Sequence, residues 1–320
     1  MNSIRNRMII SAVVIFTLVG SIFIGVFAEK FQTTSVLPHA VVATATSQTV
    51  NPAQLLQNLH ISLPPAITAT NAYIYTPNGG DFQYADNANQ EVAMASTTKV
   101  MTALVAIYDF PGNLDKPITV SNEVSLLPAD ASRMGCLPGQ VYTLRQLLYG
   151  MMLPSGDDAA VAIADGLMGS QSAYVSLMNR FAVALGLYHT HYSNTTGLDA
   201  SNHYTTAEDL AHLTAYAMTF PLFQSIVGTE FYYIPSTASH PSLLLQSLNK
   251  FLDSTTPFGK ANPTLGVIGG KTGFTGNAGY CFTSAAMHNG VEYIVVVLGE
   301  PVYDARFQDT EDLLQWVYSS

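Results

Sequence analysis

Charge is what this chain has least of. Of its 320 residues, 12 are Lys or Arg and 22 are Asp or Glu, 11% in all, where an ordinary globular domain carries about 25%. The few basic residues form no run, and the formal net charge is −10. Binding a phosphate backbone needs a basic patch, so nucleic acid is excluded as a partner. Cysteine is scarcer still. Cys136 and Cys281 stand far apart, in no CxxC or Cys/His spacing, which leaves no thiolate metal site. They could pair only if the fold brought their Cα atoms within about 7 Å; two separately buried thiols are the expectation. The eight histidines are scattered. The closest pair, His189 and His191, has the spacing of two exposed residues on a strand. Nothing here calls for a metal or a cofactor.

What the chain has instead is apolar sequence, 48% of it. Its length allows one large domain or two small ones with a substantial core. Part of the apolar excess is a single run, "MIISAVVIFTLVGSIFIGVFA" from Met8 to Ala28, uncharged and preceded by Arg5 and Arg7. These 21 residues are enough to span a bilayer at about 1.5 Å per residue. The basic flank belongs on the cytoplasmic side, so everything after Glu29 is expected outside. The run exceeds the usual signal-peptide core of about 7–15 residues, although Val26-Phe27-Ala28 offers a cleavage site. Residues 1–28 therefore predict a membrane anchor, with a cleaved signal as the alternative; either way the working part is extracytoplasmic. Residues 29–68, rich in Ser, Thr, Ala and Gln, have the composition of a tether.

The domain is expected over 69–320. "AYIYTPNGGDFQYADNA" predicts a hairpin with strands near Ala72–Tyr75 and Phe82–Tyr84 around a Gly-Gly turn, and a helix from Ser96 to about Tyr108 follows. From about 114 to 252 the signals are mostly helical, broken by Pro and Gly, and Thr205 or Thr206 is placed to cap "AEDLAHLTAYAM". "GVIGGKTGFT", "GYCFTSAAMHNG" and "VEYIVVVLG" then predict three strands, the last two joined at His288-Asn289-Gly290, before a final helix. The fold class is α/β in the α+β sense. An antiparallel sheet shared by both chain ends is flanked by helices, with an all-helical lobe between them. A site is expected in the cleft between lobe and sheet.

Three short motifs carry chemistry. In "MASTTKVMTALV", Ser96 and Lys99 are three apart and share a helix face. Alone, such a pair is usually a cap and a solvated lysine, and Ser247–Lys250 has the same spacing. Here the helix is apolar all round, which predicts burial. A desolvated amine beside a hydroxyl is a general base next to a nucleophile. "LPSGDDAA" reads by itself as capping by Ser155 or Asp157, and a metal role for Asp157 and Asp158 lacks a third ligand. "GGKTGFT" sets glycines around Lys271-Thr272, which lets another backbone or a ligand approach a strand; alone it could be an edge strand carrying a protective lysine.

Their order is the informative part: SxxK at a helix start, an SxD turn in the helical stretch, then KTG on a strand, the order of penicillin-binding proteins and class A β-lactamases. With "NTTGLDASNHYTTAEDLAHL", "AGYCFTSAA" and Arg306 ahead of "LLQW", the chain resembles the D-alanyl-D-alanine carboxypeptidases, the low-molecular-weight penicillin-binding family, over roughly Ala69 to Val317. The resemblance implies a β-lactamase/transpeptidase-like fold, peptidoglycan stem peptides ending in D-Ala-D-Ala as partner, and β-lactams as inhibitors. It also implies residue roles. Ser96 is the acylated nucleophile, Lys99 its base, and Ser155 a proton relay. Lys271 and Thr272, with Arg306 behind them, bind the terminal carboxylate. The N–H groups of Ser96 and Phe274, the latter following Gly273, form the oxyanion hole.

Two features depart from the family pattern. Its second motif usually ends in Asn, where this chain has Asp157, and many relatives continue into a small β-rich domain and a C-terminal anchor. Alternative readings are a class A-like β-lactamase, which would need a glutamate-held water for which only Glu208 is placed, and a catalytically weak cell-wall-binding protein. An esterase for another D-amino-acid or acyl substrate would use the same residues.

Overall fold

The computed structural model describes residues 63–78 and 81–319. The apolar run 8–28, the expected tether up to residue 62 and the Gly-Gly turn at 79–80 lie outside these residues. Among the described residues no helix is long and apolar enough to cross a membrane.

Both ends of the domain build one antiparallel sheet. Its strands are β1 (Asn71–Thr76), β2 (Asp81–Asp86), β7 (Val267–Thr275), β8 (Gly279–His288) and β9 (Val291–Glu300), in the order β2-β1-β9-β8-β7. Central β9 shows why one sequence can serve two layers. Ile294, Val296 and Leu298 face the core shared with the helical lobe. Val295 and Val297, on the opposite face, pack with Phe307, Leu313 and Leu314 of the terminal helix. A strand alternates its side chains, so a continuous apolar run marks burial on both faces. The β8–β9 connection is the two-residue turn Asn289-Gly290, both with positive φ (50° and 80°), which matches the strand twist. β7 is an edge strand.

The helix expected from Ser96 starts later. Ala95–Thr98 is a 3₁₀ turn, and α1 (Lys99–Asp109) begins at the lysine, with no side-chain cap from Ser96 or Thr98. Every residue of α1 from Lys99 to Ile107 is buried, so α1 runs through the centre of the larger core. Around it lie α2 (Leu144–Met152), α3 (Asp157–Met168), α4 (Gln171–Ala184), α5 (Ala207–Met218) and α6 (Pro221–Val227). Thr206 caps α5 by accepting from Asp209 N, and Thr143 and Gln146 close a capping box on α2. This segment also holds two short strand pairs that apolar periodicity did not announce, β3 (Pro117–Thr119) with β4 (Val141–Thr143) and β5 (Phe231–Ile234) with β6 (Leu243–Gln246). Strands of three or four residues give too few alternations to read. α7 (Pro257–Leu265) and α8 (Ala305–Ser319) cover the far face of the sheet. Cys136 and Cys281 are both buried and unpaired.

Candidate active site

Ser96 sits in the 3₁₀ turn, half-buried and facing a cleft, one turn ahead of a lysine that is fully buried. Lys99 Nζ is 2.7 Å from Ser96 Oγ, 2.6 Å from Asp157 Oδ1 and 2.6 Å from the Thr196 carbonyl. Three acceptors satisfy the three N–H bonds of an ammonium. Burial nevertheless pulls Lys99 below the ordinary lysine range, while Asp157 pulls it back up. The amine is therefore subject to two opposing influences.

The second motif is held by its neighbours rather than by side-chain caps. Ser155 has φ of 66°, a left-handed conformation that costs a residue with a side chain about 1–3 kcal/mol. Gly156 follows because a Cβ there would lie 2.7 Å from the Gly150 carbonyl. Asp158 turns away from the cleft and accepts from the backbone N–H groups of Met134, Gly135, Cys136 and Ala159 at 2.9–3.0 Å. The adjacent acids thus divide their work: Asp157 faces the lysine, and Asp158 pins the 134–136 loop. Sequence pattern treated the pair as one helix-end feature, and only the loop packed against α3 separates them.

The third motif lies on edge strand β7, beside the serine turn. Lys271 Nζ donates to Ser155 Oγ at 3.0 Å and to the Thr272 carbonyl at 2.8 Å. Burial, then the nearby positive charges of Lys99 and Arg306, hold its ammonium well below the usual lysine range. Gly273 lets strand and turn touch: a Cβ there would lie 3.0 Å from Ala95 Cβ and 3.1 Å from Ser96 N. Phe274 comes next, 54% exposed and stacked on Tyr280 with ring centroids 4.3 Å apart. Arg306 opens α8 from behind the strand. Its Nη1 donates to the Gly273 carbonyl at 3.0 Å, and its guanidinium lies over Tyr303 (4.4 Å) and Phe307 (4.9 Å). Only 2% of Arg306 is exposed, so its first contact is with the strand.

Of these residues Ser96, Asp157 and Phe274 line a cleft of about 410 Å³, with Leu198, Asp199 and Thr275 among its other walls; Lys99, Ser155, Lys271, Thr272 and Arg306 are buried and do not line it. Thr275 Oγ1 donates to Asp199 Oδ1 across it at 2.7 Å. A buried lysine on a serine, a second serine on a second lysine, and an edge strand beside the first serine are an arrangement that acyl transfer could use. A model of the D-alanyl-D-alanine carboxypeptidase family matches residues 58–302. The chain belongs to that family.

Individual relatives agree. A D-alanyl-D-alanine carboxypeptidase of Streptomyces sp. (strain K15) is 31% identical over 80% of this chain and 89% of its own length. DacF of Bacillus subtilis is 32% identical over 78% of this chain and 62% of its own. The solved Streptomyces K15 DD-transpeptidase superposes with a TM-score of 0.74 at 30% identity, over 81% of this chain and all of that one. A D-alanyl-D-alanine carboxypeptidase from Mycobacterium tuberculosis gives 0.72 at 28% identity, over 81% and 94%. Glu208, the residue a β-lactamase reading would need, lies in the first turn of α5 and does not line the serine cleft. Ser247 and Lys250 also lie off that cleft. Sequence reasoning missed the Thr196 carbonyl on Lys99 and the Asp199–Thr275 bridge. Both lie on or against the "NTTGLDASN" loop: the first is a backbone group with no side-chain signature, and the second joins side chains 76 residues apart in sequence.

Proposed function

We propose that the protein is a serine-type D-Ala-D-Ala carboxypeptidase, removing the terminal D-alanine of peptidoglycan stem peptides through an acyl-enzyme on Ser96. The observation that carries this is the fully buried Lys99 amine, 2.7 Å from Ser96 Oγ. In the competent form Lys99 is a neutral amine, the form that its burial favours. Lys99 takes the Ser96 hydrogen as Oγ attacks the penultimate carbonyl carbon. The N–H groups of Ser96 and Phe274 face the developing oxyanion, where fixed dipoles count most. The C–N bond then breaks. Ser155 gives its hydrogen to the departing amine and is refilled by Lys271, whose lowered proton affinity suits a donor. Lys271 and Thr272 receive the terminal carboxylate, and Arg306 holds the strand at Gly273 from behind. Water hydrolyses the ester by the reverse proton route. A β-lactam follows the same path and stays as a penicilloyl ester.

The test is intact mass of the full chain after incubation with a penicillin, beside Ser96→Ala. One penicillin added to the wild type alone is the expected result. Rapid loss of the drug without an adduct would make the protein a β-lactamase, and neither adduct nor turnover would refute the enzyme reading. We further propose that residues 8–28 hold the domain on the outer face of the cytoplasmic membrane. Alkaline carbonate should leave the full chain with the membrane, and its release would refute attachment.

A further inference from the structure

The chain of hydrogen bonds behind the nucleophile ends at an unmotivated histidine. Ser193 N donates to His203 Nδ1 at 3.0 Å, and His203 Nε2 lies 2.7 Å from Thr98 Oγ1. A backbone N–H can only donate, so Nδ1 carries no hydrogen and Nε2 does. Nε2–H then donates to the Thr98 hydroxyl, which passes its own hydrogen to the Ala95 carbonyl at 2.8 Å. All three residues are buried, at 5%, 0% and 1% exposure. Burial, then the charges of His191 and Lys99 against that of Asp199, pulls His203 down to about 4 and keeps it neutral.

Ala95 is where this chain terminates, and its backbone needs holding. Its φ is 48°, outside the regions an alanine prefers. Gly197 packs so closely that a Cβ there would lie 2.0 Å from the Ala95 carbonyl oxygen. The Ala95 carbonyl and the Ser96 N–H belong to one peptide plane. In a trans peptide they point in opposite directions, and none of the described peptide bonds is cis. A hydrogen bond that pulls the carbonyl inward therefore aims the Ser96 N–H outward, toward the cleft side where β7 passes.

We propose that His203, acting through Thr98, is a positioning residue that sets the orientation of the Ser96 N–H as an oxyanion donor. The idea rests on the acyl-serine reading above. Its arrangement is directional: His203 occupies a lone pair of Thr98, so the threonine hydrogen is committed to Ala95 rather than free to rotate. A linked chain of this kind is stronger than its separate bonds.

The experiment compares the full-length wild type with His203→Ala, His203→Gln, Thr98→Val and Thr98→Ser. It records the penicillin acylation rate and the infrared band of the penicilloyl ester carbonyl. Loss of one oxyanion donor typically costs about 10²–10³-fold, and misaiming it should cost part of that, about 10- to 100-fold. His203→Ala and Thr98→Val should acylate that much more slowly, with the ester band moved to higher wavenumber because its carbonyl is less polarised. His203→Gln keeps an N–H donor and Thr98→Ser keeps the hydroxyl, so both should recover most of the rate and the band position. An unchanged rate in His203→Ala and Thr98→Val would overturn the proposal. A slower rate with an unmoved band would also overturn it, because that pattern belongs to a purely structural role. Failure of the wild type to form any ester would instead remove the acyl-serine reading on which the proposal stands.

Discussion

Replacing Asp157 with Asn changes one atom and removes one charge beside the base. Lys99 Nζ and Asp157 Oδ1 are 2.6 Å apart, with side chains 0% and 4% exposed. At an effective dielectric of about 20 the Coulomb attraction across that distance is about 6 kcal/mol, a ceiling because the amide oxygen of Asn still accepts a hydrogen bond. Carboxylate neighbours commonly move a titration by about 1–3 pH units, or about 1.4–4 kcal/mol. Ser96 Oγ and the Thr196 carbonyl remain as acceptors in the variant, and burial remains as the influence favouring the neutral amine. The acid limb of the penicillin acylation profile should therefore shift to lower pH by about 1–3 units in Asp157→Asn. At a pH on that limb the variant should acylate at least about tenfold faster. The assay is the second-order acylation rate, followed by intact mass or stopped-flow fluorescence between about pH 5 and 9. If the limbs coincide, Asp157 does not govern the Lys99 proton, and the coupled pair is the wrong account of this site.

Three further outcomes follow from the packing. Asp158→Asn exchanges a carboxylate that accepts four backbone N–H bonds for an amide, and should lower unfolding stability by about 2–5 kcal/mol, read by denaturant titration. Gly197→Ala meets a clash at the Ala95 carbonyl and an unfavourable φ of 95°; melting should fall by the equivalent of at least about 1–3 kcal/mol, with acylation strongly reduced. Burial raises Glu300 to about 8, helped by neighbouring Asp309 and opposed by Thr68 and Arg306. The folded state then holds a proton the unfolded state has released, so stability declines as pH rises from the ordinary glutamate range through about 8. Glu300→Gln should match wild type near pH 5 and be the more stable near about pH 9; parallel melting curves at both would refute this.

The parts legible in the sequence were those encoded by neighbours in the chain. Ser96 and Lys99 share a helical turn, Lys271 to Phe274 share a strand, and the Asn289-Gly290 turn announces its own hairpin. The antiparallel sheet followed because tight turns leave no other pairing. What could not be read were contacts whose partners are chosen by the fold. The Thr196 carbonyl on Lys99 is a backbone group, and every residue has one. Arg306 was expected behind Lys271 and Thr272, but its grip on the Gly273 carbonyl depends on how α8 lies over β9 and β8. Asp158 and Asp157 differ by a helical rotation of about 100°, yet their separate duties depend on a loop more than twenty residues earlier. Ser155 and Ala95 carry left-handed backbone on ordinary residues, where composition predicts none.

The sheet that joins the two ends of the domain has a consequence in time as well as in space. β1 pairs with β2 beside it in the chain but finds its second partner only when β9 exists, with Ala72 opposite Val297, and the serine turn finds its strand only when β7 exists. A chain emerging from its N-terminus presents Ser96 and Lys99 first, then Ser155, and only after the helical lobe Lys271, the edge strand and Arg306. Until β7 is made, Ser96 and Ser155 lack the strand and lysine that they meet in the folded domain. Folding must close a loop of more than two hundred residues, a topology that folds slowly. The same topology sets Lys271 against Ser155, and Gly273 against the serine turn, only once β7 has joined the sheet.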